Sequence, residues 1–314
     1  MPFPDVTEKW TNRILEVTIG EEPNQITIGG HSTLPFLNFE GETPHKPVIA
    51  MEVLDVEPEE WSPVLTEPFG DTLKNPVEWA KKCVDDYGAD MICITLHGMH
   101  PDFGDQSVDT TVSVVRNVAD AVKVPLVVWG CGDTEKDNEA MPQVAETLQG
   151  KNALLGTATE DNYRTLTAAC QMAGHNLISE SPCDINIAKQ VNILISETGF
   201  PLDRVVMYPT TGALGYGFEY IYSIMERGRL AALSGDKMMS PPVVSSVGPE
   251  VWRVKEANAT LSEKPGWGPV EERGPMWEAM TASTLFMAGS DIMIMRHPKA
   301  VEITRKMITE LMKH

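Results

Sequence analysis

The chain has 314 residues, 42% apolar and 22% charged, a composition that fits one large globular α/β fold or two ordinary domains. Its 45 acidic residues against 25 basic ones give a net charge of −20, which argues against binding nucleic-acid phosphates or anionic membranes. No apolar run approaches the roughly 20 residues needed to cross a bilayer, and the opening MPFPDVTEKW lacks the basic patch and apolar core of a secretory leader. A cytoplasmic location is the expectation, with neither nucleic acid nor membrane among the partners.

The first 46 residues differ from the rest. Two strand-like pieces, Ile14–Ile19 and Gln25–Gly29, flank a turn-forming Gly20–Asn24, the signal of a hairpin with a longer loop. Such a hairpin either plugs the N-terminal mouth of a barrel or serves as a contact arm. The stretch 35–47, rich in proline, glycine and aromatics, reads as a linker. The division that follows is an N-terminal hairpin and linker over 1–46, then a barrel over 47–314.

From Pro47 onward eight short apolar runs alternate with helix-like stretches. They are PVIAMEVLDV, DMICITLHG, PLVVWGCGD, NALLGTATE, NLISESPCD, RVVMYPTTG, PVVSSVGPE and DIMIMRHP. Their starts lie 43, 35, 27, 24, 28, 38 and 49 residues apart, the beat of a (β/α)8 TIM barrel. Continuous apolar runs are also what parallel strands buried on both faces require. Amphipathic helices are predicted near 76–84, 109–122, 139–148, 162–173, 185–197, 219–233, 276–288 and 299–312. The longest irregular segment, Val254–Pro275, falls between the seventh strand and its helix and so should lie over the C-terminal face of the barrel.

In such a barrel, chemistry gathers where the strands end. Those ends supply Thr95, Gly132, Asp133, Thr157, Thr159, Ser181, Asp184, Asn186, Thr210 and Gly212. Asp133, Glu160 and Asp184 could serve as general acids or bases if they converge, yet Asp133 and Asp184 also stand where helix N-caps belong. His97 and His100 are spaced to share a metal, but no carboxylate-rich set accompanies them. The glycine-rich Gly212–Gly217 is not a dinucleotide fingerprint; it suits close approach by a large flat ligand, since glycine carries no side chain. Cys83, Cys93, Cys131, Cys170 and Cys183 form no CxxC pair, so free thiols are expected rather than a four-thiolate cluster or a structural zinc site. No nucleophile elbow, P-loop or HExxH motif is present. The rim, rich in hydroxyls and glycines, suits a neutral, amide-bearing or polycyclic ligand better than acid–base hydrolysis.

Longer strings go further: GETPHKPVIAMEVLDV, EPFGDTLKNPVEWAKKCVDDYGAD, PLVVWGCGDTEKD, ATEDNYRTLTAAC, PCDINIAKQVNILI, GALGYGFEYIYSIMERGRLAAL and MRHPKAV. From about Gly41 to Val301 the chain closely resembles the small subunit of the corrinoid iron–sulfur protein, the delta-type subunit of the acetyl-CoA decarbonylase/synthase system. The resemblance implies a TIM barrel paired with a large subunit that holds the iron–sulfur cluster and a corrinoid domain. It places the corrinoid (a cobalamin-type cofactor) between the two subunits, over the C-terminal face of this barrel. It also implies a methyl group received from a methyltetrahydrofolate methyltransferase and delivered to acetyl-CoA synthase. The ten strand-end residues are then expected to face the macrocycle, with no catalytic residue and no metal ligand assigned to this chain. Two alternatives stay open: a stand-alone pterin-dependent methyltransferase using Asp133, Asp184 or Asn186, and a scaffold without corrinoid contact.

Overall fold

Alternation of apolar and polar residues makes the first structured pieces into strands. In a computed structural model describing residues 6–212 and 214–313, β1 (Glu16–Ile19) and β2 (Ile26–Gly29) pair antiparallel as the expected hairpin. The ends of the 1–46 and 47–314 segments (residues 1–5 and His314), and Ala213 in the glycine-rich loop, lie outside the described residues. Val17, Ile19 and Ile28 share one hairpin face and are fully buried among the inward side chains of a barrel. The amides of Asn152 and Asn176, at the bottom of two barrel strands, donate to Thr18 O at 2.8 and 2.9 Å. The hairpin therefore plugs the N-terminal mouth.

The remaining elements follow in order. They are β3 (Val48–Leu54), α1 (Pro63–Thr66), α2 (Pro76–Asp85), β4 (Met91–Thr95), α3 (Val108–Ala121), β5 (Leu126–Trp129), α4 (Thr134–Thr147), β6 (Leu154–Ala158), α5 (Tyr163–Ala173) and β7 (Asn176–Glu180). Then come α6 (Ile185–Glu197), β8 (Val205–Tyr208), α7 (Phe218–Leu233), β9 (Val243–Ser246), α8 (Val247–Val251), α9 (Lys255–Asn258), α10 (Val270–Ala288), β10 (Ser290–Met295) and α11 (Pro298–Leu311). Strands β3 to β10 close in sequence order into a parallel barrel of eight, with β10 returning to β3. This is the TIM barrel expected from the apolar beat.

The pleat sorts each strand into two cores. Val48, Ala50, Met91, Cys93, Val127, Leu154, Ile178, Val206, Val244, Ile292 and Ile294 fill the interior with the hairpin. Ile49, Met51, Ile92, Ile94, Val128, Leu155 and Met293 point outward beneath the helices. Each such side chain, fully buried, contributes about 1.5–3 kcal/mol.

Two helix starts differ from the sequence reading by more than a residue, and the short α1, α8 and α9 were not expected. α4 begins at Thr134, five residues before the expected start, because Asp133 caps a first turn that is polar throughout. α10 begins at Val270 and carries Pro275 inside it, so the irregular segment is shorter than Val254–Pro275. A side chain organises what remains of that segment. Arg273 Nε donates to Glu256 O at 2.6 Å and Nη1 to Gly268 O at 2.7 Å, and Nη2 donates to Ala259 O.

Beneath the β9–β10 seam lies a buried charged network. Asp291 Oδ1 meets His31 Nε2 at 3.1 Å, and its Oδ2 accepts from Val243 N at 2.9 Å. Arg229 of α7 reaches the same carboxylate at 3.6 Å and donates to Gly289 O at 2.6 Å. Through His31 this network ties the segment after the hairpin to the barrel.

Candidate functional site

Because the strand repeat is two, the residue two beyond each inward apolar side chain also faces inward, at the C-terminal end of the barrel. That step gives Glu52, Thr95, Trp129, Gly156, Glu180, Tyr208, Ser246 and Arg296. Their mutual contacts agree with it. Thr95 Oγ1 donates to Glu52 Oε1 at 2.7 Å, and Arg296 Nε pairs with Glu52 Oε2. The Arg296 guanidinium also lies 4.6 Å from the centre of the Trp61 ring, a favourable cation–π placement. Trp129 and Tyr208 meet edge to face with centroids 4.8 Å apart. This polar and aromatic layer is the floor of the mouth.

The carboxyls around the floor are largely occupied. Asp55 accepts from Gly98 N at 2.7 Å and Thr111 Oγ1 at 3.4 Å, and burial pushes its carboxyl up to about 6. Asp137 holds the turn after β5, accepting from Cys131 N at 2.8 Å and Gly132 N at 3.1 Å. Burial raises Asp137 above the ordinary aspartate value. Residue 130 must be glycine for this turn, since a Cβ there would lie 2.5 Å from an Asp137 carboxylate oxygen. Glu278, on α10, is completely buried; it accepts from Arg296 N at 2.6 Å, Trp252 Nε1 at 2.8 Å and His297 N at 3.1 Å. Burial likewise raises Glu180, offset in part by the Thr157 hydroxyl.

The ten strand-end residues fall into three groups. Thr95 belongs to the floor. Thr157 and Ser181 are buried just above it, and Thr159 is half-buried. Asn162 links two of these, accepting from Thr159 N at 2.7 Å and donating to Thr157 O at 3.2 Å. Gly132, Asp184, Asn186 and Gly212 are exposed on the rim, with Asp133 and Thr210 half-buried beside them. Thr210 Oγ1 accepts from Gly212 N at 3.1 Å.

Asp133 and Asp184 act as the caps their positions suggested. Asp133 accepts from Lys136 N at 3.0 Å, and Asp184 accepts from Asn186 N at 2.7 Å and Ile187 N at 3.4 Å. Asp184→Ala is expected to cost about 1 kcal/mol of stability, and Asp184→Asn much less. Urea titration of the two variants distinguishes the cap from a purely electrostatic role, which both changes would abolish equally.

His97 and His100 are engaged locally. The His97 ring stacks on Phe103 at 4.2 Å, and His100 Nδ1 accepts from Asp102 N at 3.2 Å. Burial lowers the basicity of His97. Cys83, Cys93 and Cys170 are buried and Cys131 and Cys183 half-buried, all as free thiols; burial pushes Cys131 up to about 12.

Glu52, Asp55, Trp129, Asp137, Glu180, Tyr208, Glu278 and Arg296 were missed as site residues by the reading of strand ends. Counting on by two from the inward apolar residues finds five of them. Asp55, Asp137 and Glu278 depend on tertiary packing that no local pattern encodes.

The closed eight-stranded barrel with its plugged base places the chain in a defined structural class. It superposes on dihydropteroate synthase from Coxiella burnetii in complex with pteroic acid with a TM-score of 0.56 at 16% identity, covering 90% of this chain and 97% of the other. The dihydropteroate synthase from Thermus thermophilus gives 0.54 at 13% identity, with 89% and 98% covered. At these identities the likeness concerns the fold.

Sequence comparison is more specific. The family described as CO dehydrogenase/acetyl-CoA synthase delta subunit matches residues 16–261. The acetyl-CoA decarbonylase/synthase complex subunit delta of Archaeoglobus fulgidus is 36% identical over 98% of this chain and 71% of its own length. Subunit delta 1 of Methanosarcina thermophila is 35% identical over 96% of this chain and 72% of its own length. The chain belongs to the delta-subunit family of the acetyl-CoA decarbonylase/synthase complex.

Proposed function

We propose that this chain is the small subunit of a heterodimeric corrinoid iron–sulfur methyl carrier. Its mouth is one half of the corrinoid site, and the large subunit supplies the other half and the iron–sulfur cluster. In this reading the methyl group comes from methyltetrahydrofolate through a methyltransferase and goes to acetyl-CoA synthase, in the cytoplasm. The bound corrinoid supplies the cobalt that carries the methyl group.

The observation that carries the proposal is the commitment of most of the mouth's carboxyls, Glu180 excepted. Glu52, Asp55, Asp133, Asp137, Asp184 and Glu278 all accept from backbone amides or from neighbouring side chains. Asp133 and Asp184, the two carboxyls that a stand-alone methyltransferase would use, are each spent capping a helix N-terminus. That weighs against the stand-alone methyltransferase, in which Asp133, Asp184 or Asn186 would bind the pterin.

The residues present suit a broad macrocycle fringed by amides. Gly132 and Gly212 are exposed, and a Cβ at Gly132 would meet nothing within 4 Å, so a flat face can approach the backbone closely. The hydroxyls of Thr95, Thr157, Thr159, Ser181 and Thr210 can donate to or accept from side-chain amides. Two amide oxygens near the barrel's upper end, Gln106 Oε1 and Asn138 Oδ1, are buried without a donor from the chain. Trp129 and Tyr208, packed edge to face, give the floor an aromatic surface.

Co-expression with the large subunit and reconstitution with hydroxocobalamin test this reading. Gly212→Trp is expected to reduce corrinoid retention, read from its visible absorbance, about tenfold, while circular dichroism stays unchanged. Methyl transfer from methyltetrahydrofolate to free cobalamin by this chain alone would replace the carrier reading with the methyltransferase. Full retention by the tryptophan variant would remove the rim from the site.

A further inference from the structure

A surface helix of a barrel normally shows one apolar stripe and a polar outer face. α10 departs from this. Between Gly274 and Gly289 its only charged side chain is Glu278, and that residue is completely buried beneath Arg296. The outward positions are instead Met276, Met280 and Met287, which are 46%, 61% and 49% exposed, with Thr284 between them. Met307 of the neighbouring α11 adds a fourth, its sulfur 3.0 Å from Ser283 Oγ. Of the five exposed methionines among the described residues, only Met172 lies elsewhere. Contiguous apolar surface on a chain of net charge −20 marks an interaction site, and methionine is the side chain that adapts most readily to a partner's contour.

We propose that this methionine stripe seats the same subunit that closes the mouth, through an uncharged, apolar helical face of that subunit. The assignment rests on the shared-corrinoid reading above and on two further observations. First, the stripe is continuous with the rim. α10 starts at the C-terminal end of the barrel, and Arg273 in its first turns stacks over the half-exposed Trp267 of the preceding loop, 5.7 Å from the ring centre. A partner laid along Met276 to Met287 therefore reaches the mouth as well. Second, a second copy of this chain is a poor occupant. Each copy carries a net charge of −20, and the stripe offers no basic residue to offset the repulsion.

Oxidative footprinting of the purified heterodimer tests the seat without altering the chain. With dilute hydrogen peroxide, Met276, Met280 and Met287 are expected to form sulfoxides readily in the free chain and at least tenfold more slowly in the heterodimer, while Met172 reacts equally in both. In a parallel binding measurement, Met280→Glu and Met287→Glu should each weaken association at least tenfold, and Met172→Glu should leave it unchanged. Equal oxidation of the stripe in both states, or wild-type affinity in both glutamate variants, overturns the proposal. So does a homodimer of this chain that the same two changes dissociate. Corrinoid absorbance on the same samples separates the two readings. A protected stripe without corrinoid leaves the seat standing and removes the shared cofactor; retained corrinoid with an unprotected stripe does the reverse.

Discussion

Replacing Arg229 with methionine is expected to lower the unfolding free energy by about 3–5 kcal/mol, because it strands a buried carboxylate. Asp291 sits fully inside the protein, and burial alone would raise its carboxyl. Arg229 and His31 together outweigh burial and hold it below the ordinary aspartate value. A carboxyl held low stabilises the fold above its unfolded pKa, and that stabilisation is lost as pH falls through the folded value. The wild-type protein should therefore lose this contribution only in acid, below about pH 4. In Arg229→Met the largest support for the anion is gone, so destabilisation is largest at neutral pH and shrinks as Asp291 protonates. The double variant Arg229→Met/Asp291→Asn should recover a large part of the loss, since neither charge then remains buried alone. Urea unfolding at pH 7 checks the set. Equal stability of the single and double variants would show that the guanidinium acts by packing and by its bond to Gly289 O rather than through the ion pair.

The contrast between that network and the mouth explains what the sequence could and could not reveal. The barrel was legible because parallel strands need unbroken apolar runs, and PLVVW and DIMIM are such runs. The hairpin was legible because ILEVTI and QITIG flank a glycine–proline turn. Asp133 and Asp184 were legible as caps because their position just before a helix carries the information by itself. The floor was harder. Trp129 and Tyr208 meet only because adjacent strands bring Trp129 beside Gly156 and Glu180 beside Tyr208, and such register is fixed by the whole barrel. Glu278 looks like an ordinary charged helix residue until α10 is packed, when it becomes the acceptor for the chain leaving β10. The starts of α4 and α10 escaped for a related reason. Their first turns, TEKDN and VEERG, have no apolar periodicity and are held by a cap and by Arg273.

Glu278 carries the second large effect. Burial pushes its carboxyl from the ordinary 4.5 up to about 7, against three donors and the nearby Arg296 that all favour the anion. A carboxyl raised in this way has the opposite linkage from Asp291. Its contribution is complete below the unfolded value, near pH 4.5, and is lost as pH rises through about 7. The size over that window is on the order of 3 kcal/mol. Asp55, raised to about 6 by burial, acts in the same direction and adds to the stability gained in mild acid. Glu278→Gln keeps the shape but replaces an oxygen, which can accept even in the protonated acid, with an NH2 group that cannot, facing Trp252 Nε1, His297 N or Arg296 N. It is expected to cost about 2 kcal/mol at pH 5, where the native carboxyl is neutral. At pH 7.5 the cost should be smaller, because the wild-type side chain is by then burying a charge. Urea midpoints of both proteins at the two pH values give the comparison directly. A cost that is unchanged, or that grows, between pH 5 and 7.5 would mean that Glu278 is ionised throughout. It would then hold Arg296 and the end of β10 as a buried anion rather than as a neutral acid.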